Sequence, residues 1–320
     1  FYKRIKKYLK KKENFVCEVA SNDGYFLEDI KKNNEVLGID PAKNLAKIAR
    51  KKGIETLTDF FNLKTSKKII KLKKKKSDLV VCRNVIPHIE NIKEVMKGLN
   101  HLISNNGIGA IEFHDASNIL SKNHYDYIYH EHIFYFTLNS ITRVLNRFGL
   151  YAFDYFKSPI SGGSYVLLFK KKKTKFTKNL SNKIAVEKKI GLEKNSTWKK
   201  LDKKCIEHKN NFLKLLSKFI KEKNLAAYGA SARSSTLLNY LGIDNNIIDK
   251  VFDLNVLKKN LFTPGTHIKI KIPNTKEVIS TKVIILLAWN FQKEILKFLK
   301  KNGFRGKVLR PLPTIKVLRI

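Results

Sequence analysis

The chain reads as an α/β protein in three parts: a larger domain of alternating strands and helices, a helical connector and a smaller α/β domain. Three observations predict this. At about 100–200 residues per domain, a chain of 320 residues makes two. Short apolar runs bounded by Gly, Asn and Asp alternate with helix-length stretches, the pattern of a parallel sheet covered on both faces. That alternation stops near residue 171 and resumes near residue 225.

Residues 1–12 look like the tail of a basic helix. Residues 15–20 make a first strand, Ser21-Asn22-Asp23-Gly24 a turn, and 25–32 a helix. A second strand at 35–40 leads into a helix through 52. Strand 78–83, helix 92–102, strand 107–112 after an Asn-Asn-Gly turn, and apolar strand 165–169 beyond Gly162-Gly163 complete the domain. Residues 171–222 contain no Pro and, of glycines, only Gly191; Phe212, Leu213, Leu215, Leu216 and Phe219 recur at helical spacing. They predict helices bridging two domains. The second domain then runs strand 225–228, turn Gly229-Ala230-Ser231, helix through 241 and strand 250–253. A Pro264-Gly265 turn, strand 283–288, helix 292–302 and strand 307–309 follow. The expected boundaries are 1–172, 173–222 and 223–320.

Lys and Arg number 65 against 27 Asp and Glu, a formal charge of +38. Such a balance invites a nucleic-acid reading, but only nine of the basic residues are Arg, the side chain suited to bidentate phosphate and base contacts. The lysines recur throughout, as in 67–76 and 170–173, which favours a solvated surface over a specific nucleic-acid face. Cys17, Cys82 and Cys205 are too few and too scattered for a disulfide framework or a paired-CxxC zinc module. The longest apolar run, 283–289, is far short of the ~20 residues that cross a bilayer. There is no signal peptide, so the expectation is a cytoplasmic protein without a membrane partner. The chain begins at Phe1 rather than Met, which suggests that something upstream is missing.

Two constellations carry chemistry. The first strand contains Glu18 and ends in Ser21-Asn22-Asp23-Gly24; the second ends in Asp40 about twenty residues on, where an acidic side chain accepts ribose hydroxyls. The Gly-x-Gly-x-x-Gly of a pyrophosphate site is absent. Carboxylates such as Glu18 and Asp23 suit a positively charged sulfonium, so adenosylmethionine fits better than a dinucleotide. Asp59-Phe60-Phe61, at the expected end of a third strand, offers a partner for the adenine amino group and a ring to stack on its face. The alternative is that Asp23 caps a helix and that Phe60 and Phe61 are core.

The second constellation is His124-Tyr125-Asp126-Tyr127-Ile128-Tyr129-His130-Glu131-His132. If 129–132 form a helical turn, Tyr129 and His132 share a face at i and i+3. One side chain can then take a proton while its neighbour hydrogen-bonds a developing oxyanion. Glu131 or Asp126 would orient an imidazole, and His88, after Asn84-Val85-Ile86-Pro87, would converge from another strand end. The ligand spacing of a zinc site is missing, so no metal is expected.

Glu18-Val19-Ala20-Ser21-Asn22-Asp23-Gly24-Tyr25, Asn84-Val85-Ile86-Pro87-His88 and Tyr129-His130-Glu131-His132 resemble the adenosylmethionine-dependent sugar C-methyltransferases, which act on nucleotide-linked keto-deoxysugars. The resemblance extends through Gly162-Gly163-Ser164, Tyr228-Gly229-Ala230-Ser231, Thr263-Pro264-Gly265-Thr266 and Leu287-Ala288-Trp289-Asn290-Phe291, covering nearly the whole chain. It implies a class I methyltransferase (Rossmann-like) domain followed by a smaller Rossmann-like domain. It also implies C-methylation of a 4-keto-deoxysugar through an enolate, with His132 as base, Tyr129 assisting at the oxygen, and His88 and Glu131 in support. Glu18, Ser21, Asn22, Asp23, Gly24, Asp40, Asp59, Phe60 and Asn84 would surround the cofactor. Gly229, Ala230, Ser231 and Arg233 would hold the nucleotide part of the substrate. The family's N-terminal zinc module is absent from this sequence, its usual glycine after the first strand is Ala20, and its Lys after the Gly-Ala-Ser turn is replaced by nearby Arg233. O- or N-methylation of another metabolite, a catalytically dead binding module and a basic nucleic-acid-binding protein are the competing readings. The sequence sets neither the sugar nor the oligomeric state.

Overall fold

The computed structural model describes residues 1–10, 12–220 and 224–320. By internal contacts the chain forms two compact units, Phe1–Ala116 with Ile133–Leu192, and Ser117–His132 with Glu193–Ile320. Among the described residues no helix is long and apolar enough to cross a membrane.

In the first unit, strands β1 (Phe15–Val19), β2 (Glu35–Ile39), β3 (Thr56–Leu57), β4 (Ser77–Arg83), β5 (Ile103–His114), β6 (Tyr151–Ser158) and β7 (Ser164–Lys170) form one sheet in the order β3-β2-β1-β4-β5-β7-β6. The first five are parallel, while β7 runs antiparallel to both β5 and β6. This is the class I methyltransferase order. Alternate residues of β1 serve opposite faces: Cys17 and Val19 join one apolar cluster with Leu37 and Ile39, Val16 another with Val36 and Val81. Helices α1 (Tyr2–Lys6), α2 (Tyr25–Ile30), α3 (Lys43–Lys51), α4 (Leu63–Lys73) and α5 (Ile92–Leu102) belong to this unit; α6 (Ser117–Ser121) belongs to the other. Helices α7 (Leu138–Arg147) and α8 (Lys178–Ile190) complete the first unit.

Two expectations are corrected. The sheet is mixed rather than parallel throughout. The apolar run in β7 has a parallel strand's signature because it is buried on both faces, and burial, not strand direction, writes that signature. The expected connector is divided as well. Leu180 and Ile184 of α8 enter the first core, whereas Cys205, Phe212 and Leu216 of the 22-residue α9 (Asn195–Leu216) enter the second. The expected 222/223 boundary lies outside the described residues.

The second unit orders β8 (Leu225–Tyr228), β9 (Lys250–Phe252), β10 (Lys269–Lys271), β11 (Val283–Leu286), β12 (Lys307–Arg310) and β13 (Lys316–Arg319) as β10-β9-β8-β11-β12-β13. Only β13 is antiparallel among these pairs. Helices α10 (Ala232–Leu241), α11 (Thr275–Ser280) and α12 (Gln292–Lys301) connect the strands. Tyr125 and Tyr127 bury their rings in this core, which is why the segment 117–132 belongs here rather than with the domain expected to contain it.

Candidate active site

In an open α/β sheet, ligands bind beyond the carboxyl ends of the strands where the strand order reverses. In the first unit that point lies between β1 and β4. A cavity of about 750 Å³ opens there, lined by Ala20 after β1, Pro41 after β2, Asp59 and Phe60 after β3, and His88 after β4. Asp59, Glu90 and Glu94 contribute carboxylates to its wall against the single lysine Lys64, a balance suited to a cationic ligand. Both Phe60 and Phe61 line the cavity, but Phe61 is buried in the core and Phe60 is 73% exposed, so Phe60 offers the freer ring to stack.

The other predicted cofactor residues, Glu18, Ser21, Asn22, Asp23, Gly24, Asp40 and Asn84, do not line this cavity themselves; they sit at the same strand ends, beside the lining residues Val19, Ala20, Pro41 and Val85. Ala20, Asn22 and Asn84 all have left-handed backbone, with φ of 56°, 54° and 50°. Asp40 ties the first of these loops to β2: Oδ2 accepts the Asn22 N–H at 2.8 Å and Oδ1 the Ala42 N–H at 2.9 Å. Ser21 is buried against Gly38, where any side chain would collide with its hydroxyl. Gly24, at φ 78°, lets the loop close on Ile54 and Ala49. Asp23 pairs with Lys52 at 2.8 Å, which lowers its pKa, and accepts the Tyr25 N–H at 3.3 Å; of the two readings of this residue, the helix-start contact is present. Asn84 donates its backbone N–H to Glu112 O at 2.9 Å.

Glu18 is wholly buried. Burial pushes its carboxyl up to about 7, although Arg83 sits at 2.7 Å and opposes the shift. Among the described residues its Oε2 has no hydrogen-bond partner. A buried acceptor left unsatisfied beside left-handed loops and an acid-lined cavity fits a cationic nucleoside such as adenosylmethionine. When bound, that cofactor supplies an electrophilic methyl group. Among the described residues no three His, Cys, Asp or Glu side chains are grouped to hold a metal ion.

In the second unit, Tyr125–Tyr127 form a 3-10 turn and 129–132 a single turn closed by the His132 N–H on Tyr129 O at 2.9 Å. This one turn brings the two side chains at i and i+3 together. Tyr129 Oη lies 3.1 Å from His132 Nε2, and their ring centroids are 4.2 Å apart. His132 Nδ1 lies 2.9 Å from Tyr127 O. A carbonyl only accepts, so this contact assigns the proton to Nδ1 and leaves Nε2 as the basic nitrogen, accepting from Tyr129. A backbone carbonyl thus takes part in orienting the imidazole, a contact the sequence did not suggest. Glu131 is exposed, and with Tyr129 and His130 it borders a second cavity, of about 680 Å³.

Ala230 and Ser231 line that same cavity. Gly229 adopts φ 98° where a Cβ would strike Ala288, so its role in the backbone is a tight turn. The Ala230 N–H already donates to Asp253 Oδ2 at 2.8 Å, and Ser231 and Ser234 close a reciprocal capping box at the start of α10. Arg233 is likewise engaged. Its Nη2 meets Asp126 Oδ2 at 2.6 Å, its Nη1 meets Tyr127 Oη at 3.1 Å, and its guanidinium carbon lies 3.8 Å from the Tyr127 ring centroid. Trp289 Nε1 donates to the same Asp126 oxygen at 2.9 Å. Burial raises the Asp126 pKa against the pull of Arg233, and burial holds His124, beside Trp289, down to about 3. Sequence reasoning missed this network because Arg233 and Trp289 lie more than a hundred residues from Asp126 and Tyr127 and share no local spacing with them.

Comparison with known proteins agrees with these observations. A family model described as a methyltransferase domain matches residues 1–153, and one described as the C-methyltransferase C-terminal domain matches residues 159–313. The chain is 28% identical to C-methyltransferase NovU of Streptomyces niveus over 95% of its own length and 74% of that protein's. Solved structures similar to part of it include a TehB-like SAM-dependent methyltransferase from Corynebacterium glutamicum (TM-score 0.39, 16% identity, 53% of this chain and 86% of that one). Another is a SAM-dependent methyltransferase from Archaeoglobus fulgidus (TM-score 0.42, 16% identity, 52% and 90%). With the strand order of the first unit and the family matches along the chain, the protein belongs to the adenosylmethionine-dependent methyltransferases, carries the C-terminal domain of the C-methyltransferases, and uses adenosylmethionine for C-methylation.

Proposed function

We propose that the protein methylates a carbon beside the ketone of a nucleotide-linked 4-keto-deoxysugar in the cytoplasm, with His132 as the base. The observation that carries this reading is the pairing of Tyr129 Oη with His132 Nε2 while Nδ1 is anchored on a carbonyl. A carbon acid next to a ketone gives up its proton only if the enolate is stabilised as it forms. Nε2 takes the proton. The Tyr129 hydroxyl, displaced from Nε2, donates to the oxygen on which charge builds. His88, lining the first cavity, and Glu131, bordering the second, support base and substrate.

Ala230 and Ser231 hold the nucleotide portion in this reading. The Ala230 N–H, the Ser231 N–H and the Ser231 hydroxyl are already engaged with Asp253 and Ser234, so the Lys258 ammonium, which lines the same cavity and has donors to spare beyond the one on Ala230 O, is the group to meet its phosphates. Glu18, Ser21, Asn22, Asp23, Gly24, Asp40, Asp59, Phe60 and Asn84 hold the cofactor in the same reading, with Asp59 and Phe60 lining the first cavity.

The test is hydrogen–deuterium exchange at the substrate carbon, followed by NMR without cofactor across a panel of keto-sugar nucleotides. Wild type should exchange that hydrogen, and His132→Ala should slow exchange by about 10²-fold or more. A wild type that never exchanges it with any member of the panel overturns the enolate reading.

A further inference from the structure

We infer that Arg233 is a positioning residue for His132: it pins the Tyr125–Tyr127 turn whose last carbonyl fixes the imidazole, rather than binding substrate itself. The inference rests on the proposed role of His132. It starts from how Tyr127 is held. Its hydroxyl accepts from Arg233 Nη1 at 3.1 Å, and its ring lies under the same guanidinium at 3.8 Å. The preceding residue, Asp126, takes Arg233 Nη2 at 2.6 Å and Trp289 Nε1 at 2.9 Å on one carboxylate oxygen. A single planar fork therefore fastens two consecutive residues through three contacts, a geometry that a lysine's point charge does not reproduce. The carbonyl so fastened lies 2.9 Å from His132 Nδ1.

Charge and burial point the same way. Asp126 is 1% exposed and Tyr127 4%, and the Arg233 side chain is 14% exposed, so the guanidinium is spent inside the unit. Removing it leaves a buried carboxylate without its counter-ion, and the turn must move or Asp126 must take up a proton. Either event releases the Tyr127 carbonyl. With the carbonyl gone from Nδ1, the imidazole is free to populate the tautomer that protonates Nε2, and that form cannot act as the base. Arg233 thus acts on the reaction through a backbone oxygen, in a position where the resemblance to the family implies a substrate contact.

Two measurements on the full-length protein test this. The first is long-range ¹H–¹⁵N NMR of the His132 ring, assigned by comparison with His132→Ala. Wild type should show protonated Nδ1 and unprotonated Nε2, whereas Arg233→Ala and Arg233→Lys should show a mixture of tautomers. The second is the pH profile of kcat and KM for methyl transfer with the best substrate of the panel. Arg233→Ala should lower kcat by about 10²-fold and shift the acidic limb of the profile, with KM changed less than threefold. Arg233→Lys, which retains a charge for Asp126 and guards against simple unfolding, should fall between Arg233→Ala and wild type. Thermal melts of both variants identify any global loss of fold.

The inference is overturned if the His132 tautomer is unchanged in both variants. It is also overturned if Arg233→Ala keeps its kcat and raises KM tenfold, which would make Arg233 a substrate contact. If His132→Ala itself retains full activity, the base assignment has failed and Arg233 has nothing to position; a tautomer shift alongside that result would show that the structural link holds and only the chemistry is wrong.

Discussion

Ala20 stands where the backbone is left-handed, at φ 56°. An L-residue pays about 1 kcal/mol or more for that conformation, while glycine adopts it freely at some entropic cost in the unfolded chain. Ala20→Gly should therefore stabilise the protein slightly and raise its melting temperature by about 2 °C in calorimetry. The departure is visible in the sequence, but the strain needs the φ angle. Glu18 gives a second prediction. Its carboxyl is raised from 4.5 to about 7 by burial, so between those values the folded state holds a proton that the unfolded state has lost. Its contribution is therefore full below about 4.5 and disappears as pH rises through about 7, in total about 3 kcal/mol. Wild-type melting temperature should fall between pH 5 and 8, and Glu18→Gln should flatten that slope; an unchanged slope would show that Glu18 is not the group responsible. Residue type and spacing marked Glu18 as part of a cofactor site. Its pairing with Arg83, and hence the size of this effect, depends on two strands lying side by side.

Among elements, α7 and α8 show what local pattern misses. A carboxylate of α8, that of Glu187, accepts the Leu138 N–H at 3.1 Å and the Asn139 N–H at 2.9 Å, capping the start of α7 from 49 and 48 residues away. Thr137 and Ser140 close a capping box at the same end. An anion at a helix N-terminus, buried and hydrogen-bonded twice, is worth about 2 kcal/mol. Glu187→Ala should cost that much in urea unfolding, and Glu187→Gln less. The sequence shows a Lys-, Asn- and Glu-rich stretch that reads as helices bridging two domains, and one acidic residue among many lysines gives no local sign of a buried cap. The strands of β1, β2, β4 and β8 were legible because each is a short apolar run ended by Gly, Asn or Asp. By contrast β6, β10 and β13 were not, since their exposed or half-exposed positions break that run.

At the scale of the whole molecule, the chain passes from one unit to the other three times, at 116/117, 132/133 and 192/193. No contiguous reading of domains anticipates this, because the excursion is only sixteen residues long and its membership is decided by where Tyr125, Asp126 and Tyr127 find partners. It also makes the second unit discontinuous. A fragment of residues 193–320 lacks the carboxylate that meets Arg233 and Trp289 and the two tyrosines that complete its core. It should show weak near-ultraviolet circular dichroism and bind ANS, while adding a 117–132 peptide restores part of the fixed tertiary signal. A fragment with native-like signals on its own would show that the excursion adds little to that core.

The same threading sets an order on the ribosome. Domains generally consolidate as they emerge, but residues 117–132 must wait for Arg233 and Trp289, which are made more than a hundred residues later. Until then the nascent chain carries an imidazole with no settled turn to hold it. In this protein the segment bearing the proposed base is translated more than a hundred residues before the side chains that fix it.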